Sequence, residues 1–143
     1  MSPVASVTSV PAVTNEERKP LVYVAGPITG DPWGCVRQGT DAFAWLREAG
    51  CVPFLPQLSV LHEIVAPMSH ADWLAYDFEV LRHCHALVRL PGASKGARAE
   101  VAHARALGIE VFVAAWVEDG IAINRAGRPL ADDVAEWARR WRP

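Results

Sequence analysis

Lysine is nearly missing from this chain: Lys19 and Lys95 are the only two, and arginine supplies the rest of its 14 cations. The arginines are spread along the sequence and are offset by 16 acidic residues, for a net charge of −2. That balance excludes polymeric nucleic acid as the main partner, because neutralising phosphates requires clustered positive charge. Long apolar runs are missing too. None approaches the roughly 18 residues that a bilayer-spanning helix needs, so no membrane partner is expected. Cysteine is sparse: Cys35, Cys51 and Cys84 are odd in number and form no C-x-x-C pair. Such usage suits a reducing cytoplasm and points to no structural zinc site.

What is present is half apolar, at 51%, which is the composition of a packed globule. A length of 143 residues holds one domain and leaves no room for a second core. Residues 1–20 are rich in Ser, Val, Pro and Thr, and they lack the basic start and apolar block of a signal peptide. A disordered tail is expected there, followed by a single domain over 21–143.

Short, β-rich, non-alternating runs occur at 21–26, 51–55, 86–90 and 111–116, as expected of strands buried on both faces. Helical patterns lie between them. Thr40 or Asp41 is placed to cap a helix carrying Phe43, Trp45 and Leu46, which Gly50 stops. A second opens at Ser69 or His70, with Leu74, Phe78 and Leu81 on one side. A third runs from about Gly96 to Leu107, and a fourth from 131 to 141 spaces Val134, Trp137 and Trp141 at helical intervals. Residues 118–129 read as a turn or short hairpin. The alternation predicts an α/β fold: a single Rossmann-like or flavodoxin-like domain with a parallel sheet of four to five strands flanked by helices. Ligands of such sheets bind beyond the carboxyl ends of the strands, here 26–34, 56–67, 91–96 and from Trp116 onward.

One residue stands out on the third helix. Ala97, Glu100, Val101, Ala104 and Leu107 form a stripe that is small or apolar except for Glu100. A carboxylate there either faces desolvation, which raises its pKa, or is solvated or paired with Arg98 or Arg105. Upstream, Pro91-Gly92-Ala93-Ser94-Lys95-Gly96 leads into the helix N-terminus, where free N–H groups and the helix dipole suit an anion. An ordinary cap by Ser94 explains the same residues. Asp77 follows Trp73 by four residues, so an acid and an indole share one helix face. Such a pair suits protonation of a base stacked on the ring, or is simply an exposed acid above a core tryptophan. Tyr23 lies mid-strand, where a buried phenol needs a partner, either a carboxylate or a backbone carbonyl. His83, Cys84 and His85 lack the third convergent ligand of a metal site, so no metal is expected.

These pieces together resemble the nucleoside 2-deoxyribosyltransferase superfamily, including its nucleotide N-glycosidase branch, and above all its small phage and bacterial members of unassigned function. The resemblance covers roughly Leu21 to Trp116. It is carried by Tyr23-Val24-Ala25-Gly26-Pro27-Ile28-Thr29-Gly30, by Asp77 followed by Leu81, and by Ser94-Lys95-Gly96-Ala97-Arg98-Ala99-Glu100, the family's S-x-G-x-x-x-E pattern. It implies that Glu100 is the nucleophile at C1′ of the sugar, that Asp77 helps protonate the departing base, and that Tyr23 hydrogen-bonds the nucleophile. Serine at position 94, where nucleoside transferases tend to carry aspartate, implies a 5′-phosphate site with Gly96. Gly26, Ile28, Gly30 and Trp73 complete the expected substrate contacts. One departure is His85, where family members usually carry aspartate.

The expected activity is cleavage of the N-glycosidic bond of a (deoxy)nucleoside 5′-monophosphate, with water or a second base as acceptor. It requires no metal or organic cofactor. The partner is a small nucleotide; a core this small also predicts a homodimer or higher homo-oligomer that completes the site, with Asn124 a candidate for that role. Base preference is expected to reside in 33–37 and 62–73. Two other classes fit the sequence: a non-catalytic nucleotide-sensing module of the same fold, and a structural oligomer with Trp137 and Trp141 at a subunit contact.

Overall fold

A computed structural model describes residues 9–12, 14–28 and 30–143. The expected tail falls partly on residues 1–8 and 13, which lie outside the described residues. Within it, Asn15–Glu17 form a single 3-10 turn, and the buried Pro20 accepts the Val52 N–H at 2.9 Å.

Four parallel strands form the sheet: β1 (Leu21–Ala25), β2 (Val52–Phe54), β3 (Ala86–Arg89) and β4 (Glu110–Val113), in the order β2-β1-β3-β4. The central strands β1 and β3 are buried from both sides, as expected, whereas the edge strands β2 and β4 are only partly buried, with Val52 and Val113 exposed because no further strand covers the edges. One face of β1 offers Val22 and Val24 to α1 (Pro32–Glu48) and α5 (Leu130–Arg140). The other face offers Tyr23 and Ala25 to α3 (His70–Leu81) and α4 (Lys95–Ala106). A short helix, α2 (Ser59–Glu63), follows a 3-10 turn at Pro56–Leu58. The chain leaves β1 toward one edge of the sheet and β3 toward the other, so a crevice opens between their carboxyl ends. The α/β fold expected from the alternation is therefore present, with four strands in the sheet.

Three details differ from the sequence expectations. Helix α1 begins at Pro32, not near Thr40, because Asp31 caps it by accepting the Gly34 N–H at 3.0 Å. Thr40 lies inside the helix and donates its hydroxyl to the Val36 carbonyl. The fourth run ends at Val113, and Trp116 instead opens a hairpin of β5 (Trp116–Glu118) and β6 (Ile121–Ile123). Asp119 and Gly120 turn it at φ of 50° and 76°, the doubly left-handed geometry of a two-residue hairpin loop. Finally, Leu107 is 47% exposed, so the inner stripe of α4 ends at Ala104. Among the described residues no helix is long and apolar enough to cross a membrane.

Candidate active site

Strand pleating and helix periodicity bring the singled-out acids to one place. Tyr23 projects from β1 under α4 and is fully buried; its hydroxyl donates to Oε2 of Glu100. Glu100 itself is 5% exposed, between Ala97 and Ala104 on the inner face of α4. It pairs with neither Arg98 nor Arg105 among the described residues. Burial pushes its carboxyl up to about 8, and the Tyr23 hydroxyl opposes that shift by favouring the anion. From the facing helix, Asp77 is 7% exposed, and burial pushes it up to about 7. The exposed-acid alternative for Asp77 is thus set aside.

Both carboxyls line a cavity of about 730 Å³ at the carboxyl ends of β1 and β3. Gly26 and Ile28 border it from β1, Trp73 from α3, and Ser94 and Gly96 from the start of α4. Gly30, expected among these contacts, lies outside the lining. Tyr23 stands behind Glu100, also out of the lining. Ser94 caps α4 by accepting the Ala97 N–H at 3.0 Å. Lys95 and Arg98 also line this end, and neither pairs with an acid among the described residues. The cavity therefore has one wall with an open helix N-terminus and two cations, and a floor with two protonatable carboxyls.

The crevice is tightly built where its loops meet. Gly92 has a φ of +120°, and a Cβ there would sit 2.8 Å from Cγ of Pro27. Arg89 holds this turn by donating to the carbonyls of Leu90 and Gly92. Underneath, Gln57 is buried, with Nε2 donating to the Val24 carbonyl at 3.3 Å and Oε1 unpartnered. It fills the space left by Gly26 and Gly39.

Other sequence candidates are dispersed. His83 faces Glu79, Cys84 donates to the Val80 carbonyl, and Nδ1 of His85 accepts the Leu21 N–H at 2.9 Å. His85 stands at the amino end of β3, opposite the cavity, so its departure from the family's aspartate touches no cavity residue. Within this chain Asn124 donates to Asp133 of α5 and accepts from Ala126 and Arg128 in its own loop. Trp137 packs edge-on against Phe112 and Trp141 against His85. Sequence reasoning missed Gln57 and Glu63. A helix-interior glycine at position 39 was the one signal for the first; no periodicity marks the second.

A family model described as a domain of unknown function (DUF4406) matches residues 20–113. That segment contains all four sheet strands and every lining residue of the cavity, and leaves out the hairpin and α5. Among solved structures, a 2-desoxiribosyltransferase from Leishmania mexicana shares the fold, with a TM-score of 0.51 and 20% identity over 77% of this chain and 81% of that one. A 2-deoxyribosyltransferase from the psychrotolerant bacterium Bacillus psychrosaccharolyticus aligns with a TM-score of 0.49 and 18% identity, over 70% and 87% of the two chains. No curated protein matches.

Proposed function

The chain belongs to the DUF4406 family, and we propose that it cleaves the N-glycosidic bond of a (deoxy)nucleoside 5′-monophosphate. The observation that carries this reading is the buried Tyr23–Glu100 pair at the floor of a cavity that also holds Asp77 and the α4 N-terminus. Likeness of fold to the 2-desoxiribosyltransferase from Leishmania mexicana agrees with glycosyl chemistry; the monophosphate is inferred from this chain's own residues.

The phosphate is taken by the N–H groups at Ser94 to Gly96, with Lys95 and Arg98 supplying the countercharge. The base lies over the Trp73 ring, near Asp77. A carboxylate oxygen of Glu100 forms a bond to C1′ while the bond from C1′ to the base nitrogen breaks. The bonding pair leaves with the base, and Asp77 delivers the proton that neutralises it. Tyr23 keeps Glu100 oriented. In the second half a water, or the nitrogen of another base, attacks C1′, Asp77 takes up its proton, and the Glu100 carboxylate is released. This is the double displacement of a retaining glycosidase, carried out by side chains alone.

Raised carboxyls fit these roles unequally. A value of about 7 keeps a proton on Asp77 near neutrality, as a general acid requires. Glu100 must lose its proton first, and the developing positive charge on the sugar favours the anion. The test is release of free base from nucleoside monophosphates, followed by chromatography, with Glu100→Ala as control. A 2-fluoro-sugar substrate should leave a sugar adduct on Glu100 by mass spectrometry. Turnover that survives Glu100→Ala rejects the mechanism; tight nucleotide binding without base release favours the sensing module instead.

A further inference from the structure

Trp73 is held by its edge. Its indole N–H donates to Oε1 of Glu63, and the same oxygen accepts the Met68 N–H at 2.9 Å. Tyr76 meets the ring edge-on at 5.8 Å and His62 lies tilted at 6.1 Å. With its only donor consumed, the indole offers the cavity an apolar face and no hydrogen bond. Recognition of the base edge therefore falls to another group on that wall.

Glu63 itself lines the cavity, and its Oε2 takes no partner among the described residues. The Met68 N–H and then the Trp73 indole hold its carboxyl below the usual range, so it is an anion at neutral pH. An ionised carboxylate accepts hydrogen bonds and donates none. It holds the N–H edge of the indole, so a ring placed on that face turns an edge toward the carboxylate. A base with an amino group at this edge gains a charge-assisted hydrogen bond. One with a carbonyl there sets an acceptor against an acceptor and keeps only its neighbouring ring N–H to donate, a weaker match.

We propose that Glu63 is the specificity-determining residue of this site, and that its acceptor-only carboxylate selects bases bearing an exocyclic amino group, as in cytosine and adenine, over their keto counterparts, uracil and hypoxanthine. The inference rests on the nucleotide reading given above. It adds a substrate class and assigns that choice to a residue of the 62–73 segment.

The deciding experiment compares cytidine with uridine 5′-monophosphate, and adenosine with inosine 5′-monophosphate, in ribo and deoxy forms. Base release gives the kcat/KM ratio within each pair, and calorimetric titration gives the ratio of affinities without turnover. The amino member is expected to win by roughly tenfold or more in the wild type. In Glu63→Gln the carboxamide can donate as well as accept, so the ratio should fall toward one, chiefly by improving the keto member. Trp73→Phe keeps an aromatic face but releases the Glu63 anchor, and should narrow the ratio while weakening every ligand alike. Equal use of both members by the wild type, or a ratio that Glu63→Gln leaves unchanged, overturns the proposal. A binding ratio that follows Glu63 without base release supports it while rejecting the reaction; failure of every nucleotide to bind rejects both.

Discussion

Val22 and Val24 project from β1 into a layer closed by Ala42 and Leu46 of α1 and Leu130 and Val134 of α5, all apolar and all buried. Tyr23 and Ala25, one residue away in each case, project into the layer under α3 and α4. There the core residues include the small Ala97 and Ala104, and two carboxyls, Asp77 and Glu100, are buried beside them. One strand thus separates an apolar half from a half that buries two carboxyls. The apolar half gains from every ångström it removes from water. The other gives up part of that gain to keep two acids where water cannot level their pKa values. On the proposed function, stability and chemistry fall to opposite faces of one sheet.

The sharpest way to break this division is to remove a group from each side. Glu100→Ala should cut base release by roughly 10⁴-fold or more while leaving the fold intact by circular dichroism. Leu46→Ala, on the opposite face, should cost about 2–5 kcal/mol in urea unfolding yet leave kcat unchanged well below the melting temperature. A fall in kcat for Leu46→Ala beyond the unfolded fraction would show that the two layers are not independent.

Titration sharpens the contrast further. With Asp77 near 7 and Glu100 near 8, kcat/KM should follow a bell whose limbs fall at about those values. The limbs belong to the pair of carboxyls taken together. Asp77→Asn should leave a single rising limb, since only Glu100 then titrates. Next in size, Arg98→Ala should raise KM for monophosphates roughly tenfold and leave unphosphorylated nucleosides unaffected; an equal effect on both removes Arg98 from the phosphate wall.

The smallest effect is thermodynamic. Both acids have folded-state values above their ordinary ones of 3.8 and 4.5. The stability they contribute is therefore complete below about pH 4 and is lost as pH rises through about 7 and 8. Glu100→Gln, which keeps the shape without the charge, should melt roughly 2–4 °C above wild type at pH 8.5, with the gap closing by pH 5. A constant gap at all pH values means that packing, not titration, sets it.

Much of this division could be read from the chain before any coordinates. The runs of β1 and β3 are apolar without alternation, which is enough to bury both faces. Trp73 and Asp77 are four apart, so helix geometry alone puts them together. A carboxylate on the inner stripe of α4 and a phenol in mid-strand each demanded a partner, and they found one another. What escaped has a common cause: it depends on contacts between elements and not within them. Glu63 meets Trp73 only because α2 folds back over α3, and Gln57 is buried only because Gly26 and Gly39 leave it space. The start of α1 was hidden differently. Asp31 and Pro32 are strong opening signals, but Gly34 and Gly39 dilute the helical pattern behind them.

The contact between Gly92 and Pro27 has a consequence for how this pocket diversifies. With no room for even one methyl group between the two loops, the side of the crevice next to the sheet is a fixed jaw. The facing side is built from α2 and the 64–69 connection, where Ile64 and Val65 are largely exposed and Glu63 is the tie to α3. Substitutions there meet solvent more than core, so they are cheap to try. New substrate preferences in relatives of this protein should therefore arise by resculpting that outer jaw, with the inner one inherited unchanged.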